Sequence, residues 1–176
     1  PLPYNEWNLD FLADYIVNTH HTYVKNNLPE ISGYAAKVAR VHGHNHPELL
    51  RINQLVEAIS SEFSSHLVKE EQVLFPYIKR MAAAKNNKES FQQSSNGSVK
   101  GPINMMEIEH ESAGKNMSEI RTLSNDFSLP EDACASYSLL FRLLEEFEED
   151  LHTHVHLENN ILFPKAIELE KELITK

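Results

Sequence analysis

The chain reads as an all-α protein, an up-down-up-down four-helix bundle, and three observations predict it. A frame repeats: His66-Leu-Val-Lys-Glu70-Glu-Gln-Val-Leu-Phe-Pro76 returns as His154-Val-His-Leu-Glu158-Asn-Asn-Ile-Leu-Phe-Pro164. Four stretches carry an apolar seam at 3-4 spacing, as bundle helices do. The composition is rich in aliphatic residues, Ala, Glu and Lys, with only five glycines in 176 residues, which favours helices over a sandwich or barrel.

Asn8 is placed to cap a first helix entering at Leu9-Asp10. Its seam runs Val17, His21, Val24, Leu28, Ile31, Ala35, Val38, His42. Pro29 lies inside it and is expected to kink it, because the ring clashes with the carbonyl one turn back. Gly43, followed by Pro47, ends that helix. A second helix spans about 47–84, with seam Ile52, Val56, Ile59, Phe63, His66, Glu70 and then Val73 or Leu74. Residues 85–101 are polar, contain Asn-Gly and lack periodicity, so a long mobile loop is expected there. Pro102 suits the first turn of a third helix, with seam Ile103, Met106, His110, Ala113, Met117, Ile120, ending near Asn125. Pro130 opens the fourth, with seam Leu140, Leu144, Phe147, Leu151, His154, Glu158, Ile161 and Leu162.

At this length one domain with a real core is expected. The net charge of −10 argues against nucleic acid and against an anionic membrane surface. No apolar run approaches the roughly 18 residues of a membrane span, and no signal peptide is read. The single cysteine, Cys134, excludes an internal disulfide framework and suits a reducing cytoplasm. The chain opens at Pro1 rather than Met, so a preceding segment is expected. Ten histidines are the compositional oddity, with dense stretches at 42–46 and 152–156.

Positions i and i+4 share one helical face, so each frame presents an imidazole beside a carboxylate. Two such pairs facing each other across a bundle are the usual protein half of a two-metal carboxylate site. A lone seam histidine is ordinarily a satisfied core residue. Buried carboxylates are different, since ionised Glu costs several kcal/mol to bury and the seams bring no Lys or Arg near Glu70 or Glu158. Either the glutamates are protonated or a cation sits between them, and four histidines at one depth favour the cation. At about 1.5 Å per residue, His66 lies roughly 28 Å and His21 roughly 33 Å from the same end of the bundle. His42 lies about 31 Å from His21 along a continuous helix and is left out, with helix-end packing its expected role. The candidate metal set is His21, His66, Glu70, His110, His154 and Glu158. These donors suit iron or manganese better than zinc in a closed structural site. Each glutamate can bridge two ions, leaving two histidines per ion. No thiolate is in the set, which argues against an iron–sulfur cluster held here.

The chain resembles hemerythrin-like di-iron proteins, and more closely their iron–sulfur cluster repair branch, also called regulator of cell morphogenesis and nitric-oxide signalling. The resemblance rests on Leu28-Pro29-Glu30 after His21, Lys37-Val-Ala-Arg-Val-His-Gly43, His46-Pro-Glu-Leu49, Ser65-His66-Leu-Val-Lys-Glu-Glu71, Glu109-His110-Glu-Ser-Ala-Gly114, Pro130-Glu-Asp-Ala-Cys134 and His156-Leu-Glu-Asn-Asn160 with Phe163-Pro164. It implies two non-haem iron ions, bridged by carboxylates and an oxo or hydroxo group, with manganese an in-vitro substitute. It implies a role in restoring iron–sulfur clusters damaged by nitric oxide or peroxide, by donating iron, by reducing nitric oxide, or both. Apo iron–sulfur proteins, nitric oxide, oxygen and peroxide are then the expected partners, and a homodimer is one open state. The alternative is an oxygen or nitric-oxide sensor or store on the same site. Oxygen-carrying hemerythrins have a fifth ligand histidine and an Asp one residue further along the last helix, whereas here the pair is His154 and Glu158. Full-length repair proteins add an N-terminal domain with a vicinal Cys-Cys that nothing in this chain matches.

His20 is off the seam, so a surface or supporting role is expected. His152 and His156 flank His154 and should face solvent. Glu62 and Glu109 are candidates to orient a ligand imidazole or line an access path. Cys134 is expected as a small core residue without an activating partner, and Glu146, Glu148, Glu149 and Asp150 as a solvated face. Since ligand imidazoles must be neutral, iron retention is expected to weaken below about pH 6.

Overall fold

The computed structural model describes residues 1–175. Among them the secondary structure is entirely helical: α1 (Leu9–Ile16), α2 (Thr22–His42), α3 (Glu48–Lys69), α4 (Phe75–Asn87), α5 (Lys100–Leu123), α6 (Ala135–Leu157) and α7 (Phe163–Ile174), with a short 3₁₀ turn at Tyr4–Glu6. Three π turns, Val17–His21, Glu70–Leu74 and Glu158–Leu162, join α1 to α2, α3 to α4 and α6 to α7. The molecule is therefore four rods: α1–α2, α3–α4, α5 and α6–α7. The first rod packs against the second and fourth and α3 packs against α5, the up-down-up-down arrangement expected. No described helix is long and apolar enough to cross a membrane.

The seams face inward as the spacing predicts, with local corrections. Ile16, not Val17, is buried on the first rod, a shift that falls at a π turn, which adds a residue and rotates the next stretch of helix. On the second rod the seam takes Leu74, one of the two residues that the spacing allows. Asn8 holds the N-cap position but its side chain makes no capping bond. Pro29 sits on the exposed face of α2, which runs on to His42. Gly43 closes α2 in the right-handed conformation, where a Cβ would collide with the Ala39 carbonyl oxygen. The second rod ends at Asn87 rather than 84, and the fourth begins at Ala135 rather than Pro130, after a turn in which Asn125, Asp126 and Phe127 all have positive φ. The end of the segment between α4 and α5 is fastened to α7. Ser98 Oγ donates to Glu170 at 2.6 Å, the Val99 N–H at 3.0 Å and the Tyr77 hydroxyl at 2.7 Å.

Two apolar clusters fill the bundle. One contains Leu28, Ile52, Phe63, Leu67, Leu140 and Leu151; the other contains Leu12, Ile16, Leu74, Phe75, Leu157 and Phe163. A layer of buried polar side chains separates them. Each fully buried Leu, Ile or Phe contributes about 1.5–3 kcal/mol, so the apolar clusters above and below carry the stability that tolerates this layer.

Candidate metal centre

All six candidate residues meet in that layer. His21, Glu70, His154 and Glu158 bring donor atoms within 4.8 Å of one another, and so do His66, Glu70, His110 and Glu158. Every member is buried, and Glu70 and Glu158 belong to both sets. Each of these two four-donor clusters, which share two carboxylates, could hold a metal ion.

The π turns help to place them. Leu74-Phe75 and Ile161-Leu162-Phe163 are buried anchors, and Pro76 and Pro164 stand at the starts of α4 and α7. Proline supplies no N–H to the turn before it, so the helical ladder is already interrupted there. The break is taken up by i→i−5 bonds from the Phe75 N–H to the Glu70 carbonyl and from the Phe163 N–H to the Glu158 carbonyl. The third π turn, on the first rod, leaves the adjacent His20 and His21 both buried.

The donor atoms are under-satisfied in a telling way. All four carboxylate oxygens of Glu70 and Glu158, with His21 Nε2 and His154 Nε2, are buried without an aligned hydrogen-bond partner among the described residues. Yet imidazole nitrogens come close: His66 Nε2 lies 2.8 Å from Glu70, His154 Nε2 2.6 Å and His110 Nε2 3.1 Å from Glu158, and His21 Nε2 3.5 Å from Glu70. Close approach without alignment is what ligands ranged about a common centre show, and the donor set fits a pair of divalent ions.

Burial and the neighbouring groups pull the titration of these side chains in opposite directions. Burial by itself would lower the His21 imidazole, but the Glu158 and Glu70 carboxylates outweigh it and raise it to about 9. His110 is likewise lowered by burial and raised on balance to about 9, chiefly by Glu158. Burial would raise the Glu158 carboxyl, but the imidazoles of His154 and His110 and the Glu70 carboxyl hold it well below the usual carboxylate range. The raised imidazoles of His21 and His110 thus stand beside the lowered Glu158 carboxyl, each group favouring the charge of the other.

The hemerythrin HHE cation-binding domain family matches residues 12–166. The chain belongs to that family. It is also 36% identical over 156 residues to a probable iron-sulfur cluster repair protein of Haemophilus influenzae, covering 89% of this chain and 64% of that protein. It is 36% identical over 157 residues to the iron-sulfur cluster repair protein YtfE of Salmonella schwarzengrund, covering 89% and 65%. The YtfE of Yersinia pestis is 35% identical over 156 residues, again 89% and 65%. The chain spans just under two thirds of the length of these curated relatives.

Around this hemerythrin-family centre the structure adds residues that periodicity missed. The residue after each frame glutamate receives an imidazole from another rod: His21 Nδ1 lies 3.0 Å from Glu71 Oε2, and His110 Nδ1 2.8 Å from Asn159 Oδ1. The repeat holds this signal, since both frames put a polar residue just after the glutamate. Partial burial would raise the Glu71 carboxyl, but Lys25 and His21 beside it hold it below the usual range.

Glu109 faces His66 rather than its neighbour His110, with Oε1 3.5 Å from His66 Nδ1, and is held by Lys69 at 2.6 Å. Glu62 is exposed and accepts from Ser112, away from the ligand atoms. His20 is buried, not at the surface, and lies 2.8 Å from Asp150. Glu148 is buried too, paired with Arg121, so the acidic run is only partly solvated. His152 and His156 are exposed as expected. His42 sits at the far end of the bundle against Cys134, Nε2 to Sγ 3.2 Å. Cys134 is therefore an exposed residue at the N-cap position of α6 with a histidine partner, not a small core residue.

Proposed function

We propose that the polar layer holds two non-haem iron ions and that the protein serves the repair of iron–sulfur clusters damaged by nitrosative or oxidative stress. The observation that carries this reading is the pair of buried donor sets sharing Glu70 and Glu158. His21 and His154 would hold one ion, His66 and His110 the other, and the two glutamates would bridge them. The names of the similar repair proteins support the process assigned.

Bound ferrous iron would supply reducing electrons and open positions for a small molecule such as nitric oxide, oxygen or peroxide. The chain's residues do the rest. His21 and His110 would hold an ion only as neutral imidazoles, which would couple uptake to pH. Glu71 and Asn159 hold the rings of His21 and His110 by their Nδ1 atoms, keeping Nε2 aimed into the layer. Phe63, Phe75 and Phe163 stack on His66, His21 and His110 and wall the site from water. Imidazole and carboxylate donors carry no thiolate, a set from which iron can leave for an apo-cluster.

Anaerobic loading with ferrous salt followed by metal analysis and Mössbauer spectroscopy tests the site, and iron transfer to an apo-ferredoxin tests the role. Two ions per chain and transfer are expected. Fewer than one ion per chain would overturn the site. A stable, reversible oxygen adduct without iron release would replace repair by storage or sensing.

A further inference from the structure

The internal repeat relates the two halves of the polar layer, and it gives His20 a counterpart. Frame histidines His66 and His154 correspond, as do the single histidines His110 and His21 contributed by the other two rods. In each half, the residue before the single histidine reaches the frame histidine. Glu109, before His110, stands 3.5 Å from His66 Nδ1. His20, before His21, stacks its ring on His154, with centroids 5.6 Å apart and planes 20° apart. Each of these helpers is itself tethered by a charged side chain near the frame histidine. Lys69, three residues after His66, holds Glu109 at 2.6 Å. Asp150, one turn before His154 on α6, accepts from His20 Nδ1 at 2.8 Å.

The two frame histidines share a feature that matters for aim. Neither His66 Nδ1 nor His154 Nδ1 has a hydrogen-bond partner among the described residues, while His21 and His110 each have one; His66 Nδ1 at least faces the Glu109 carboxylate at 3.5 Å. A ligand imidazole usually has its plane fixed by an acceptor on its second nitrogen. His154 is instead clamped by rings: the face of His20 on one side and Phe63, edge-on at 5.7 Å and 78°, on another. The clamp works only while His20 stays in place. A buried imidazole on a π turn that makes one tether to a neighbouring rod depends on that tether.

We propose that His20 and Asp150 are positioning residues for His154, fixing its ring plane by stacking rather than by a hydrogen bond. The proposal rests on the metal-binding reading above. Asp150 locates His20, His20 orients His154, and His154 Nε2 is thereby aimed at the ion position shared with His21. Loss of either residue weakens that position and leaves the His66–His110 position intact.

The test uses the full chain loaded anaerobically with ferrous iron. Iron per chain, chelator-competition affinity and the Mössbauer doublets are read for the parent, His20→Ala, Asp150→Leu and Asp150→Asn. His20→Ala and Asp150→Leu should weaken one of two iron ions roughly tenfold to hundredfold, changing one ferrous doublet and sparing the other. Asp150→Asn keeps an oxygen that accepts from His20 and should behave like the parent. The idea fails if His20→Ala and Asp150→Leu keep both affinities and both doublets, if the two ions weaken together, or if Asp150→Asn is as impaired as Asp150→Leu. A parent chain that binds no iron would instead defeat the metal reading, before any variant is compared.

Discussion

Glu170 and Glu158 are both buried among apolar helices, yet their oxygens meet opposite surroundings. Glu170 accepts from the Tyr77 hydroxyl, the Ser98 hydroxyl and the Val99 N–H, and so latches the start of α5 to α7. Glu158 and its partner Glu70 have imidazole nitrogens nearby but no aligned donor among the described residues. A buried carboxylate is costly in either place. In the first the protein's own donors offset that cost; in the second, protons or an ion must. Burial alone therefore does not single out a candidate metal site; burial with unaligned imidazoles around it does.

That contrast can be broken from the metal side most sharply. Glu158→Leu, or Glu70→Leu, removes a donor common to both sets, so metal analysis should find both ions lost, whereas Glu170→Ala should keep both. Equal iron content in all three variants would erase the distinction. Next in size, Glu71→Ala and Asn159→Ala remove the acceptors of His21 and His110, and each should weaken one ion roughly tenfold to hundredfold in chelator competition.

Glu170→Ala has its effect on stability instead. It strands buried donors of Tyr77 and Val99 and should cost roughly 1–3 kcal/mol in denaturant unfolding, with or without metal.

The pH dependence sharpens the same point more gently. His21 and His110 are raised from 6.5 to about 9 in the metal-free protein. The stability they contribute is complete below about 6.5 and is lost as pH rises through about 9. Glu158, held below its ordinary value, works the other way, its contribution being lost as the solution becomes acidic. The melting temperature of chelated protein should therefore fall between pH 7 and 9, while ion affinity climbs over the same range because protons no longer compete. Proton competition thus begins well above the pH 6 expected from ordinary imidazoles. Parallel pH profiles for chelated and loaded protein would contradict the assignment of protons to those two rings.

The smallest effect is expected at the other histidine-rich stretch. His42 and His46 meet Cys134 and Asp132 at the exposed end of the bundle, so His46→Ala should leave iron content unchanged in the same metal analysis. There the residue type is the same and the depth is not.

How much of this is legible in the sequence depends on where each signal resides. The rods, the inward seams and the six gathered side chains are written in local spacing, because 3.6-residue periodicity and the doubled His-x-x-x-Glu frame are properties of single helices. The π turns are not legible, since a ladder that slips from i→i−4 to i→i−5 leaves the residue order unchanged; hence periodicity points to Val17 in place of Ile16 and puts His20 off the seam, with a surface or a supporting role equally open to it. Glu71, Asn159, Glu109 and Asp150 act on imidazoles of other rods, and only packing decides which helices become neighbours and at what level. Sequence by itself determined that four amphipathic rods would bury two glutamates among histidines. Tertiary structure decided which imidazole each outer residue steadies, because that depends on distances across the bundle rather than along the chain.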